Sequence, residues 1–359
     1  MKIIHCADIH ADSKMGTHFT KEQAETRRNE IVDSFAKMVE FARENGAKVI
    51  IIAGDLFDTK ENQQKKIKQR IFYIIEQNPG IDFLYLRGNH DEDVDFFEEK
   101  SISNLKRFSK SRWQKYSYEN IDIYGHEFGS SIPLTAYSEL NPDPARINIV
   151  VLHGQIAEYK PKDDAPAISL PKLTNKNIDY IALGHIHDFK IEKLDNRCSW
   201  CYSGCLEGRG FDECGKKGFV LIDVQNNKVK ADFVPVSKRV VHEIPVKLSG
   251  VQNFSEIMRK ITDLLAGISS KDIVQVDLTG ELSEETEIEP ESYQSALASD
   301  YFYVRVKDKT ETKIDYTKYE KDVSLKGEFI RLVKNQQNLS EEQKIKIIMT
   351  GIKALAGRL

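Results

Sequence analysis

Val49-Ile50-Ile51-Ile52-Ala53-Gly54-Asp55-Leu56-Phe57-Asp58 decides the reading of this chain. Five apolar residues run unbroken into Gly54, and Asp55 follows at once. A short continuous apolar run that stops at such punctuation reads as a strand buried on both faces of a parallel sheet. Ligands of open α/β sheets bind just past the carboxyl ends of the strands, so Asp55 stands where a ligand would be held.

The same arrangement recurs. Lys2-Ile3-Ile4-His5-Cys6-Ala7 leads into Asp8-Ile9-His10, and the run 81–86 leads past Arg87 into Gly88-Asn89-His90-Asp91. The run 147–152 ends at His153-Gly154, and 178–183 ends at Gly184-His185-Ile186-His187. A lone His after a strand is usually a hydrogen-bonded structural residue. Five runs that each deliver Asp, Asn or His at the same end point to one shared site.

The segments between the runs supply helices. Thr20-Lys21-Glu22-Gln23 is a capping box, Ile31, Phe35, Met38, Val39 and Ala42 form one apolar stripe, and Asn45-Gly46 is a stop signal. This β-α-β unit brings Asp8, His10 and Asp55 to one edge. Residues 63–77 read as a second helix, 96–108 as a third, and 113–124 as antiparallel strands. Further strands are expected over 201–203, 219–224 and 231–236. The class is α/β, with a second sheet packed on the first and helices outside.

The character changes after Arg239. Residues 240–248, 273–278 and 301–306 read as strands, with helices over 254–266 and 292–298. The tail carries helices over 324–334 and 341–358, the second opened by the capping box Ser340-Glu341-Glu342-Gln343. Their apolar stripes are Leu325, Phe329, Leu332 and Val333, then Ile345, Ile348, Ile352 and Leu355. Two such helices bury their stripes on each other, on the body or on a partner. The expected domains are therefore 1–238, 239–312 and 313–359.

Composition excludes some classes. The chain has 359 residues, 40% hydrophobic and 30% charged, as a globular protein does. No apolar run approaches the ~18 residues of a membrane span. The opening Met1-Lys2-Ile3-Ile4 already reads as a strand, so no signal peptide is expected. The five cysteines, Cys6, Cys198, Cys201, Cys205 and Cys214, are an odd count, which argues for reduced thiols and a cytoplasmic location. Cys198-Ser199-Trp200-Cys201 has the spacing of a zinc knuckle, but a strand there would point the two cysteines to opposite faces. Scattered buried thiols are the expectation.

Carboxylate, carboxamide and imidazole together suit Mn²⁺, Fe or Zn²⁺. Asp8, His10, Asp55, Asn89, His153, His185 and His187 make seven ligands, too many for one tetrahedral ion and enough for two that share Asp55. Paired metals stabilise both the attacking and the departing oxygens of a phosphoryl displacement. His90 lies outside that count and is placed to protonate or hydrogen-bond a leaving oxygen, with Asp91 or Asp58 to hold its tautomer. Asp58 also reads as a simple loop-capping carboxylate.

These motifs are those of a family. Asp8-x-His10, Gly54-Asp55-x-x-Asp58, Gly88-Asn89-His90-Asp91, His153-Gly154 and Gly184-His185-x-His187 resemble the five signatures of calcineurin-like metallophosphoesterases. The resemblance implies a two-sheet sandwich flanked by helices. It implies one metal on Asp8, His10, Asp55 and His187, and a second on Asp55, Asn89, His153 and His185. Tyr202-Ser203-Gly204-Cys205-Leu206-Glu207 and Phe211-Asp212-Glu213 are similar, more narrowly, to the SbcD exonucleases, bacterial counterparts of the break-repair nuclease of archaea and eukaryotes. Asp58 departs from the His of archaeal and eukaryotic relatives, and Cys205 from the commoner Ser.

The narrower resemblance implies a Mn²⁺-dependent 3′ exonuclease and single-strand endonuclease in DNA repair and recombination, with a capping domain near 240–310. The implied partners are DNA, an SbcC-type SMC-like ATPase gripped by the C-terminal helices, and a second copy of the chain. With a net charge of −4, DNA needs local basic surface, for which Arg27/Arg28, 65–70 and 106–112 are the candidates. A phosphatase or small-molecule phosphodiesterase, and a non-catalytic scaffold, are the rival readings.

Overall fold

The computed structural model describes residues 1–15, 19–58, 65–91, 102–159, 165–249, 251, 253–283, 286 and 288–355. They fall into two compact units, Met1–Val240 and Val241–Leu359.

The first unit runs β1 (Lys2–Cys6), α1 (Lys21–Glu44), β2 (Val49–Ala53), α2 (Lys65–Glu76), β3 (Asp82–Leu86), β4 (Leu105–Arg107), β5 (Gln114–Tyr118), β6 (Ile121–Gly125), α3 (Leu134–Glu139), β7 (Ile147–His153), β8 (Gln155–Ile156), β9 (Ala167–Ile168), β10 (Tyr180–Gly184), β11 (Lys190–Lys193), β12 (Ser199–Tyr202), β13 (Gly218–Gln225) and β14 (Lys228–Pro235). Two six-stranded sheets result, ordered β14-β13-β1-β2-β3-β4 and β11-β12-β10-β7-β6-β5. The strands that carry the apolar runs pair in parallel, β1 with β2, β2 with β3, and β7 with β10. Their carboxyl ends therefore share an edge within each sheet.

Strand alternation sorts the side chains into layers. Ile4 and Cys6 pack against the α1 stripe and against Ile67, Ile71 and Ile75 of α2. Ile3, Ala7, Ile51 and Ala53 face the other sheet and meet Ile149, Val151 and Ala182. Val150, Leu152, Ile181 and Leu183 form the outer core with Tyr137 and Leu140. Helix, sheet, sheet and outer layer are thus built from alternate residues of the same strands, the expected sandwich. Thr20 caps α1 with both hydrogen bonds of the capping box. Cys198 lies in the outer core and Cys201 between the sheets, and the cysteines are free thiols.

Two expectations fail here. The helix expected over 96–108 is replaced, in its described part, by β4, which extends the first sheet beside β3. Edge pairing wins because Phe108 reaches the inter-sheet core and the Asn104 amide donates to the carbonyls of Ile75, Asn78 and Ile81. Residues 96–101 lie outside the described residues. Arg27, expected on a basic surface, is wholly buried: its guanidinium donates to Glu30, Glu207 and the Gly208 carbonyl. Lys68 is buried as well, 3.5 Å from Asp12.

The second unit has β15 (Val241–Lys247), α4 (Phe254–Leu265), β16 (Ile273–Ser283), α5 (Pro290–Leu297) and β17 (Tyr303–Lys313), then α6 (Leu325–Lys334) and α7 (Glu341–Leu355). The three strands form a parallel sheet ordered β15-β16-β17, with Ile257 and Ile261 of α4 and Tyr293 and Leu297 of α5 packed on Val274, Val276 and Leu278. Ile330 and Val333 of α6 meet Ile348 of α7 and Tyr319 in a separate small core. The expected α6 stripe therefore divides. Val333 turns inward with Ile330, whereas Leu325 and Leu332 remain 71% and 57% exposed. No helix among the described residues is long and apolar enough to cross a membrane.

Candidate metal centre

The loops that leave β1, β2 and β10 turn sharply. Asp8, His10 and Asp55 adopt φ of 52°, 43° and 52°, and His185 adopts 104°. A non-glycine residue at positive φ is uncommon, and such outliers gather at functional sites. The surroundings fix them. The backbone N–H groups of Asp8, His10 and Ala11 donate to the carbonyls of Gly54, Asp55 and Leu56, each at 3.0 Å. The N–H of His90 donates to Asp55 Oδ1 at 3.1 Å. Two glycines allow the close approach. A Cβ on Gly88 would stand 2.1 Å from Asp55 Oδ1, and one on Gly184 would stand 1.9 Å from the Ala53 carbonyl oxygen.

Two donor clusters result. The donor atoms of Asp8, His10 and His187 lie within 4.8 Å of one another, as do those of Asp55, His153 and His185. Asp55 stands between them, its Oδ2 3.6 Å from His10 Nε2 and 3.4 Å from His153 Nε2. Asn89 Oδ1 is 3.1 Å from His153 Nε2, and His153 Nδ1 donates to the Ala53 carbonyl at 2.8 Å. All seven residues named from the sequence as ligands thus meet at one place.

These groups fit divalent cations. His10 is buried and its Nε2 makes no hydrogen bond. A buried polar atom left so is costly unless something binds it. The carboxylates draw positive charge into the pocket: burial lowers the proton affinity of His153, but Asp55 and Asp8 outweigh it and lift its pKa to about 9. Mixed nitrogen and oxygen donors suit Mn²⁺, Fe or Zn²⁺.

Asp58 and Asp91 behave differently from each other. Asp58 Oδ1 is 3.2 Å from His90 Nδ1 and 3.3 Å from His10 Nδ1. Burial raises its pKa, but His10, His90 and Arg209 outweigh that and hold it low, so it stays a carboxylate. Asp58 is thus the carboxylate that stands at the His90 ring. Asp91 is buried and accepts from the backbone N–H groups of Leu56, Phe57 and Gly88 at 3.2, 2.9 and 3.1 Å. Its position is explained by the backbone it clips together, the β2 exit loop to the β3 exit loop. His10, Asp58 and His90 form a third group of close donors. The Arg209 guanidinium, 3.7 Å from Asp58 Oδ2, opposes a cation there.

Two further residues border the centre. Glu213 Oε1 is 2.6 Å from His187 Nδ1, and Arg209 lies between Glu213 and Asp58. The motif Phe211-Asp212-Glu213 carried no role for Glu213, and the i,i+4 spacing of Arg209 and Glu213 was the available signal.

A family model described as calcineurin-like phosphoesterase matches residues 1–189, more than half of the chain. The chain belongs to the calcineurin-like phosphoesterases. As a member of that family with two donor clusters joined at Asp55, it is a metal-dependent hydrolase of phosphoesters with a site for two divalent cations.

The chain is similar to the DNA double-strand break repair protein Mre11 of Sulfolobus acidocaldarius, 23% identical over 78% of this chain and 75% of that protein. The Mre11 protein of Saccharolobus solfataricus is also 23% identical, over 96% of this chain and 92% of its own length. The SbcD component of the SbcCD nuclease of Staphylococcus saprophyticus is 26% identical over 66% of this chain and 69% of that component.

Proposed function

We propose that this phosphoesterase is a Mn²⁺-dependent DNA nuclease, with 3′ exonuclease and single-strand endonuclease activity, acting in DNA repair and recombination. The observation that carries the reading is His90. It lies beside Asn89 and Asp55, its side chain is 42% exposed, and its Nδ1 is engaged by Asp58. An accessible imidazole whose orientation is fixed, at the rim of buried ligands, suits a substrate better than a cation.

Asp8, His10, Asp55 and His187 would hold one cation, and Asp55, Asn89, His153 and His185 the other. Bound there, the two ions would stabilise the charge that develops on the attacking and departing oxygens. His90 would supply a proton from Nε2 to the departing 3′ oxygen, while Asp58 keeps the ring from turning. Asp91 would hold the loops that carry Asp55 and Asn89.

DNA as substrate is supported by the names of the similar proteins, break-repair proteins and a nuclease component. Arg28, Lys65, Lys66 and Arg70 line a groove of about 710 Å³ with Glu25 and Asn29, and this surface would take the phosphate backbone. Residues 239–312 would cap the DNA. The exposed Leu325 and Leu332 would help dock an SMC-like ATPase, and a second copy of the chain is a further partner.

The test is to incubate the pure full chain with Mn²⁺ and end-labelled single- and double-stranded DNA, beside a generic phosphomonoester. Mn²⁺-dependent release of nucleotides from 3′ ends, abolished by Asp55→Asn, is expected. Turnover of the phosphomonoester with DNA left intact would overturn the nuclease reading and leave a phosphatase.

A further inference from the structure

The imidazole of His187 has two rivals for one nitrogen. Glu213 Oε1 lies 2.6 Å from its Nδ1, and Arg209 Nη2 lies 3.2 Å from the same atom. A carboxylate accepts and a guanidinium only donates, so the two ask for opposite tautomers. With Glu213 as partner, Nδ1 carries the proton and Nε2 keeps a lone pair for a cation. With Arg209 as partner, Nδ1 must accept, the proton moves to Nε2, and the ring can no longer ligate through it.

The shorter contact decides, and Arg209 is itself occupied. Its Nη2 and Nε donate to Glu213 Oε1 at 2.9 and 3.2 Å, and its backbone N–H donates to Glu213 Oε2 at 2.7 Å. Its Nη1 stands 3.7 Å from Asp58 Oδ2. Glu213 is buried. The acid therefore does two things at once: it takes the Nδ1 proton of His187 and turns the guanidinium away from that role. Partners of this kind fix ring orientation and tautomer in metal sites.

We propose that Glu213 and Arg209 are positioning residues of the metal centre, Glu213 setting the tautomer of His187 against the competing Arg209, which ties Glu213 to Asp58. The inference rests on the two-cation reading above, and it makes a prediction that simple loss of packing does not. Removing Glu213 frees Arg209 to donate to Nδ1, so a second substitution at Arg209 relieves part of the damage.

The experiment measures Mn²⁺ binding to the full chain by calorimetry and elemental analysis, with imidazole tautomers read by ¹⁵N NMR on the zinc-loaded and metal-free protein. The wild type is expected to bind two Mn²⁺. Glu213→Ala is expected to weaken one of the two sites by about 10–100-fold and to move the His187 proton to Nε2. Glu213→Ala with Arg209→Met is expected to recover part of that affinity and the Nδ1–H tautomer. Should Glu213→Ala fail to fold, Glu213→Leu, which also leaves Nδ1 without a carboxylate acceptor, serves alone and with Arg209→Met for the same comparison. A double variant that binds no better than the single one, or a single variant with wild-type affinity and tautomer, overturns the proposal. A wild type that binds no Mn²⁺ overturns the two-cation reading itself, which keeps the two failures apart.

Discussion

Both carboxylate oxygens of Asp8 accept the backbone N–H of His185, at 2.8 and 3.0 Å, across 177 positions of sequence. The loop leaving the first sheet thus fixes the loop leaving the second, and the same carboxylate is a donor of the first cluster. Asp8→Asn keeps an acceptor but removes the charge. We expect it to lose far more than the ~10–100-fold typical of outer partners in Mn²⁺ affinity, with a wild-type circular dichroism spectrum. Undiminished Mn²⁺ binding by the variant would remove Asp8 from the ligands.

His90→Ala is expected to bind both cations and to lose hydrolysis by about 10²–10⁴-fold. Its backbone N–H, which donates to Asp55 Oδ1, survives the substitution. Elemental analysis beside the DNA assay distinguishes the roles. A variant depleted of metal would make His90 a ligand and not a proton donor.

Arg27→Ala is expected to cost about 3–5 kcal/mol of stability, because it leaves Glu207 buried without its cation. Glu30 fares better, since Arg239 also holds it, at 2.7 Å. Urea unfolding measures the loss. If stability were unchanged and only DNA binding fell, Arg27 would be a surface residue after all.

His5 gives the first unit an acid limit. Its ring lies buried with Nδ1 3.0 Å from the Tyr180 hydroxyl, and burial pushes its pKa down to about 3 from an ordinary 6.5. The unfolded chain therefore binds the extra proton between those values. Stability is fully present above pH 6.5 and falls as the pH drops toward 3, by at most about 1.4 kcal/mol for each pH step. Denaturant midpoints between pH 7 and 4 test this. His5→Phe should flatten the pH dependence whatever its effect at pH 7, and an unchanged slope would exonerate His5.

Truncation at about Lys313 removes Ile314, Tyr319, α6 and α7, whose small core is separate from that of the three-stranded sheet. The shortened chain is expected to keep its fold and its metals and to stop co-purifying with an SMC-like ATPase. Unfolding of the first unit on truncation would make the tail a structural part of the body and end the partner proposal.

How much of this was legible in the sequence depended on the range of the interactions. The strand ends were readable because each is a local event: an apolar run stops, and Asp8, Asp55, Asn89, His153 or His185 follows. Arg27 was misread because its partner Glu207 lies 180 positions away, and nothing near Arg27 distinguishes a buried guanidinium from an exposed one. The β4 segment was misread because pairing at a sheet edge overrode local helical pattern. Asp91 sat beside His90 in sequence but turned to the backbone of Leu56 and Phe57. Adjacency suggested a partnership that chain direction forbids.

The left-handed turns at Asp8, His10, Asp55 and His185 couple two requirements that are usually separate. Asp, Asn and His are the non-glycine residues that tolerate positive φ best, and they are also donors for a hard or borderline cation. At these four positions the shape of the chain and the chemistry of the ion ask for the same few letters. A β-branched replacement would fail on backbone geometry before its missing donor mattered, and a glycine would satisfy the backbone and bind nothing. At these four positions a change of donor is therefore confined to exchanges among Asp, Asn and His.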